Sequence, residues 1–416
     1  MRTALFSVIA IAFGYLAIPS ILDNASPKRD PDQNKCTAYR DKNRTDPYNI
    51  PRPTEKIKII RLTNSGEFVD RCELTDTLSD LNWDIPAAHN TPLPRTPDAI
   101  ASLPKLVILY IHGWQHSADK DDDNLKSFES QIRNIREANR EKKNVVGIYI
   151  GWNPLGGSFP LNYLLFWSKE TIADRTAQSS SVTEIVSAIG AILDRKKQFP
   201  DEFIAIGHSF GARILFSATE QTLVYESELA HPGHSGGTYK KIKGAADAII
   251  LLNPAFDAAR FTALDDLSRN AESFSQEQIP ILLSVSTDND YATKFAFPVG
   301  QFVGSERSNL ELTTIGNYFE YQTHTLTQTD QSKCLSSEDN SLSERFFDSG
   351  ICLARIVNTS RADGAIPEIT PHDPFLVART TSDIINGHGG IWDKEFSNWL
   401  FAFISALIEK RDRSHS

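Results

Sequence analysis

A serine stands between two glycines in Gly207-His208-Ser209-Phe210-Gly211, after the apolar run Phe203-Ile204-Ala205-Ile206 and directly before the helical pattern Ala212 to Leu223. A strand that turns this sharply into a helix leaves no room for side chains on either side of the serine. The same turn strains the serine backbone and lifts its hydroxyl above the sheet, while the helix aims N–H groups at negative charge forming beside it. Attack on an acyl carbon is the chemistry such a serine suits. Its hydroxyl is a weak nucleophile at neutral pH, so a general base oriented by a carboxylate must accompany it.

In this strand–turn–helix context the partners follow in the order serine, acid, histidine, which directs the search downstream. The downstream histidines are His231, His234, His324, His372, His388 and His415. His388 is the expected base. It lies in Asn386-Gly387-His388-Gly389-Gly390-Ile391-Trp392, after a last strand read at Phe375 to Ile385 and before the amphipathic stretch Phe396, Trp399, Leu400, Phe403, Ile404 and Leu407. His324 and His372 are its alternatives. For the acid, Ile281 to Val285 runs into Ser286-Thr287-Asp288-Asn289-Asp290. Asp290 is the expected carboxylate, Asp288 the alternative, and Asp257 a more distant one. An oxyanion needs two fixed N–H donors. Phe210, just after the serine, and Trp114, in the loop His112-Gly113-Trp114-Gln115, are the expected pair, ahead of Gln115. His112 precedes the serine and is expected to organise its loop.

Stepping outward, Leu106 to Ile111, Val145 to Ile150, Phe203 to Ile206, Ala248 to Leu252 and Ile281 to Val285 are short apolar runs of the kind that fill buried parallel strands. A leading hairpin is predicted from Ile57 to Leu62, the Asn64-Ser65-Gly66 turn, and Phe68 to Cys72. Between strands, Val182, Ile185, Val186, Ile189, Ile192 and Leu193 share one helical face over Ser181 to Lys197, with Ser181 and Glu184 at capping-box positions. Leu125, Phe128, Ile132 and Ile135 repeat the spacing. Strand alternating with helix predicts a doubly wound, mostly parallel α/β sheet with helices on both faces, whose sites lie at the carboxyl ends of the strands. The catalytic domain is expected over residues 56–410, with insertions at about 153–180, 225–244 and 295–374. The apolar segment Pro154 to Trp167 suits either a lid over an acyl pocket or a helix completing the core, and 225–244 reads as a mobile surface loop.

With these residues assembled, the chain resembles the α/β-hydrolase superfamily, and within it serine hydrolases with an H-G-W loop and a G-H-S-F-G turn. The marks are His112-Gly113-Trp114, Tyr149-Ile150-Gly151-Trp152, Phe166-Trp167-Ser168-Lys169, Gly207 to Gly211, Asn253-Pro254-Ala255, Asp290-Tyr291-Ala292-Thr293 and His388 to Trp392, spread over Leu106 to Ile404. The resemblance implies an esterase-like or lipase-like activity without a cofactor, acting on a small-molecule or lipid ester through an acyl-enzyme on Ser209. The superfamily also contains thioesterases, peptidases and catalytically silent binding modules, which stand as alternatives.

A net charge of -10 and a pI near 5.5 supply no broad basic surface, which argues against nucleic acid as a partner. Arg2 followed by the apolar stretch Ala4 to Leu22 has the layout of a secretory signal, with a retained membrane anchor as the alternative reading of residues 1–25. Residues 26–55 read as a polar linker. An exported protein permits disulfides, and the even set Cys36, Cys72, Cys334 and Cys352, read as lying outside core elements, suits the pairings Cys36–Cys72 and Cys334–Cys352. No histidine or C-x-x-C spacing accompanies them, so no metal site is expected. The N-x-S/T triplets at Asn24, Asn43 and Asn358 carry no weight.

Overall fold

Strand β2 (Lys105–Ile111) is buried along its whole length because both of its faces are apolar. Val107, Leu109 and Ile111 enter one core, and Leu106, Ile108 and Tyr110 enter a second core on the opposite side of the sheet. That double burial is why the sequence reads as an unbroken apolar run rather than an alternation. The computed structural model describes residues 57–81, 103–114, 116–152, 166–193, 200–270, 274–297, 308–335, 341–356, 360–361, 364–365 and 369–413. Around β2 stand β1 (Lys58–Leu62), β3 (Asn144–Trp152), β4 (Glu202–His208), β5 (Ala248–Leu252), β6 (Leu282–Thr287), β7 (His324–Gln328), β8 (Arg345–Asp348) and β9 (Ile351–Arg355). The two-residue strands β10 (Ser360–Arg361) and β11 (Gly364–Ala365) form a separate ribbon, and β12 (Phe375–Thr380) returns to the main sheet.

The main sheet has ten strands in the order β1-β3-β2-β4-β5-β6-β12-β7-β9-β8. From β1 to β7 in that order every pairing is parallel, while β9 runs antiparallel to both neighbours. The chain steps from β2 to β3 in one direction, then crosses back to β4 and proceeds the other way. The strand order therefore reverses between β2 and β4, the position at which open α/β sheets form a crevice beyond their carboxyl ends.

Helices cover both faces. The first core packs under α1 (Arg71–Leu81), α3 (Phe166–Gln178), α4 (Ser180–Ile192), α5 (Phe210–Ala230) and α6 (Thr262–Asn270), and the second under α2 (Asp123–Ala138) and α7 (Lys394–Arg413). Helix α2 starts where the Asp122 carboxylate accepts from the N–H groups of Asn124 and Leu125.

Several expectations need correction. No leading hairpin forms: β1 pairs in parallel with β3, Phe68 makes one isolated bridge to Leu62, and Arg71 already begins α1. The apolar residues of β1 gain more by joining a buried sheet than a two-stranded ribbon could supply. The capping box also fails. Ser179, one residue before α4, instead donates its hydroxyl to the Gly66 and Thr176 carbonyls, and Glu184 pairs with Arg71 across to α1. The last strand stops at Thr380 rather than Ile385, and the first part of the presumed 225–244 loop is the end of α5. The stretch 295–374 is more than an insertion, because β7, β9 and β8 extend the main sheet. Cysteines do sit in regular elements: Cys72 in α1 and Cys352 in β9. Cys334 and Cys352 form the expected disulfide, with Cα atoms 5.7 Å apart. Cys72 is disulfide-bonded as well, and its expected partner Cys36 lies outside the described residues. So do Gln115, residues 1–55, the apolar segment 154–165 and His415. Among the described residues no helix is long and apolar enough to cross a membrane.

Candidate functional site

Ser209 joins β4 to α5 with φ 56° and ψ −123°, a region that L residues adopt only under constraint. The constraint is visible around it. Its N–H donates to the Leu252 carbonyl at the end of β5, and its carbonyl accepts from Ala255 and from the first turn of α5. A Cβ on Gly211 would lie 2.2 Å from the Ile111 carbonyl oxygen, and one on Gly207 would lie 2.6 Å from the Ala212 Cα. Glycine at both positions is thus a condition for the helix to start directly above the sheet. Opposite the serine, a Cβ on Gly113 would stand 2.7 Å from the Ser209 Cβ. The His112-Gly113-Trp114 loop at the end of β2 consequently lies against the Ser209 turn at the end of β4, on either side of the reversal in strand order.

Downstream residues arrive from two more strand ends. The Ser209 Oγ is 2.7 Å from His388 Nε2, and His388 Nδ1 is 2.7 Å from Asp290 Oδ2. A carboxylate only accepts, so Nδ1 carries the proton and Nε2 is left to accept from the serine hydroxyl. Asp290 Oδ1 is occupied by the N–H groups of Ala292 and Thr293. Burial by itself would raise the Asp290 carboxyl, but the His388 hydrogen bond and charge and the Thr293 N–H together hold it below its ordinary value. The carboxylate is almost fully buried and the imidazole is one-quarter exposed.

Of the remaining expected residues, Phe210 opens α5 and Trp114 packs half-buried against the core beside the turn. Asp288 does not meet His388: its N–H donates to the Thr380 carbonyl and its carbonyl accepts from Lys294. Asp257 pairs with Arg260 at 2.9 Å. His324, on β7, is held between the Thr323 hydroxyl and the Ser343 carbonyl, and burial lowers it to about 4. His372 stands at the amino end of β12, away from Ser209. His231 and His234 sit in and just before a short helical turn after α5. His112 is fully buried. Its Nε2 accepts from the Trp152 N–H, its Nδ1 therefore donates to the Gly113 carbonyl, and its own carbonyl accepts from the Trp152 indole. Burial lowers this imidazole to about 4 and keeps it neutral, as a loop organiser must be.

A set of positioning groups escaped the sequence reading. The His388 carbonyl accepts from His208 Nε2 and from Asn253 Nδ2, both at 2.9 Å. Burial pushes the His208 imidazole well below its ordinary value, so it stays neutral beside His388. Asn253, at φ 42°, also receives the Thr287 N–H on its Oδ1 and so ties β5, β6 and the histidine loop together. Asn289 accepts from Gly387 N and donates to Asn386. The signal that could have found them is positional: each is a polar residue at, or just past, the carboxyl end of a buried parallel strand.

Among the described residues no group of histidine, cysteine, aspartate or glutamate could hold a metal ion. No protein-family model, curated protein or solved structure matches the chain, and what the site can do is read from its own geometry.

Proposed function

We propose that the protein is a serine hydrolase of the α/β-hydrolase fold that cleaves a carboxylic ester through an acyl-enzyme on Ser209. The observation that carries this reading is the continuous Ser209–His388–Asp290 contact, 2.7 Å at each step. Its support is topological as well. Nucleophile, acid and base follow β4, β6 and β12, in the chain order serine, acid, histidine, on a sheet whose strand order reverses beside the nucleophile.

In acylation His388 Nε2 takes the Ser209 proton as Oγ attacks the ester carbonyl, and Asp290 stabilises the imidazolium through Nδ1–H. The tetrahedral oxyanion is met by the backbone N–H groups of Phe210 and Trp114, aided by the amino end of α5. His388 then returns the proton to the departing alcohol. Deacylation repeats the sequence with water as nucleophile and releases the acid. Every group is supplied by this chain, so no cofactor enters the scheme. A neutral or lipid ester is the proposed substrate, and the disulfide at Cys334 and Cys352 supports export to an oxidising compartment.

The test is labelling of the protein with a fluorophosphonate, beside Ser209→Ala and His388→Ala, followed by turnover of p-nitrophenyl esters of increasing acyl length. Labelling and turnover lost in both variants is the expected result. Absence of labelling in folded wild-type protein would instead point to a silent binding module.

A further inference from the structure

Arg379, the next-to-last residue of β12, carries a half-buried cation that the proposed ester chemistry does not use. Its Nη1 donates to two uncharged acceptors, the Gly316 carbonyl at 2.9 Å and Asn317 Oδ1 at 3.0 Å. Burial disfavours this charge, and Asp288 offsets part of that cost without a hydrogen bond to it. The acceptors sit on a fixed loop. Thr314 bridges to Asp257, the Ile315 N–H donates to the Phe256 carbonyl, and a Cβ on Gly316 would lie 1.8 Å from Ser286 Oγ. Residues 313–317 are therefore pressed against the carboxyl end of β6, the strand that delivers Asp290. Lys294, the cation nearest Asp290 in sequence, is exposed and donates to the Asp288 carbonyl at 3.4 Å.

From Arg379 the hydrogen bonds have one direction. Arginine only donates, so the Asn317 atom facing it is the oxygen, and the amide nitrogen points the other way. That nitrogen donates to Thr314 Oγ1 at 2.8 Å and to Thr293 Oγ1 at 3.3 Å. Thr293 is buried, and its N–H already donates to Asp290 Oδ1 at 3.2 Å. Because its hydroxyl oxygen accepts from Asn317, its own proton is left to donate, and it goes to Asp290, whose carboxyl it helps to hold low. Arg379, Asn317 and Thr293 thus donate in series toward one carboxylate. In such a series each bond polarises the next, and the cation at its head strengthens them all.

We propose that Arg379, Asn317 and Thr293 are positioning residues for the Ser209 site, a directed hydrogen-bond chain that fixes Asp290 and limits how strongly it pulls on the His388 Nδ1 proton. The inference rests on the hydrolase reading, in which Asp290 orients the base. None of the three touches substrate; they act through the carboxylate. A carboxylate that accepts several donors stays ionised and shares its charge among them. Without the Thr293 hydroxyl more of that charge falls on Nδ1–H, and the Asp290–His388 bond tightens.

Low-field proton NMR of the full chain reads that bond without any substrate. The His388 Nδ1 proton is the resonance that His388→Ala removes. It should move to lower field in Thr293→Val, which has no hydroxyl, and in Asn317→Asp, where the new carboxylate keeps Arg379 but takes the Thr293 proton away from Asp290. Arg379→Met should move it the same way by less. Thr293→Ser, which keeps the hydroxyl, should leave it at its wild-type position. Thermal unfolding reports whether each variant is folded. A resonance unmoved in folded Thr293→Val and Asn317→Asp would overturn the chain while fluorophosphonate labelling of Ser209 still stood. Equal movement in Thr293→Ser and Thr293→Val would reduce Thr293 to packing and overturn it as well. If His388→Ala removed no resonance, the Asp290–His388 bond itself would be refuted, and the hydrolase reading would fall with the chain.

Discussion

In the proposed mechanism, replacing Asp290 by asparagine separates orientation of the base from its mere presence. The Asp290 Oδ1 position is set by two backbone donors, Ala292 N–H at 2.9 Å and Thr293 N–H at 3.2 Å. An asparagine there keeps its carbonyl oxygen on those donors and therefore turns its NH2 toward His388 Nδ1. Two donors cannot face each other, so Nδ1 becomes the acceptor and the proton moves to Nε2, 2.7 Å from the Ser209 hydroxyl. An imidazole protonated at Nε2 cannot take the serine proton. The loss expected for a wrong tautomer in such a triad is about 10³- to 10⁴-fold in kcat, or roughly 4 to 5.5 kcal/mol of transition-state stabilisation at 1.36 kcal/mol per tenfold. KM should change little, because Asp290 touches no substrate. Steady-state turnover of a p-nitrophenyl ester by Asp290→Asn and Asp288→Asn, side by side, is the assay. Asp288→Asn should remain within about twofold of wild type, since that side chain lies outside the relay. If instead Asp290→Asn kept more than a tenth of the activity while Asp288→Asn lost it, the assignment of the carboxylate would be refuted.

Three further outcomes are expected. Gly211→Ala places a methyl group 2.2 Å from the Ile111 carbonyl oxygen and 2.5 Å from that of His112, so α5 must move off the end of β2; a loss of about 3 kcal/mol or more in chemical denaturation is expected, and near-wild-type stability would contradict the close approach. Asn253→Ala removes one of two side-chain donors to the His388 carbonyl, and kcat should fall about tenfold with His388 still present, rising again in Asn253→Gln only if the amide reaches the same oxygen. The third concerns pH. Asp373 is buried and its carboxyl is raised from 3.8 to about 7 by burial, against donors from Phe375 N–H and the Ser268 hydroxyl. The folded state thus holds a proton that the unfolded state releases, so stability is full below pH 3.8 and declines as pH rises toward 7, by on the order of 4 kcal/mol. Asp373→Asn should raise the melting temperature relative to wild type more at pH 8 than at pH 5, and an equal difference at both would exclude this linkage.

Much of this architecture is legible in the sequence. Buried parallel strands announce themselves because both faces are apolar, but the register of Phe203 to Ile206 between Val107 and Ile249 came from the tertiary structure, since a strand apolar on both faces is not tied to one pairing. The glycines around Ser209 and the glycine loop around His388 were readable for a related reason: tight turns restrict residue type locally. Where the reading failed, a partner distant in sequence had won. Phe68 to Cys72 has strand-like residues, yet α1 forms there because Leu74 and Leu81 bury on the sheet. Ser181 and Glu184 have capping spacing, yet Glu184 turns to Arg71, more than a hundred residues earlier. Strands β7 and β9 were hidden because each is only five residues long and partly exposed, which leaves little periodic signal.

The sequence by itself determined which residues could act: a serine in a turn only glycine permits, a histidine in a mobile-looking glycine loop, and a pair of aspartates beyond a strand. Each of those restrictions is local, a matter of backbone sterics and burial within a few residues. Choosing Asp290 over Asp288, bringing Nε2 to the Ser209 hydroxyl, and enlisting His208 and Asn253 on the His388 carbonyl were decided by the tertiary structure. Hydrogen bonds act over about 3 Å, and only the packing of four strand ends, up to 180 residues apart along the chain, sets distances on that scale.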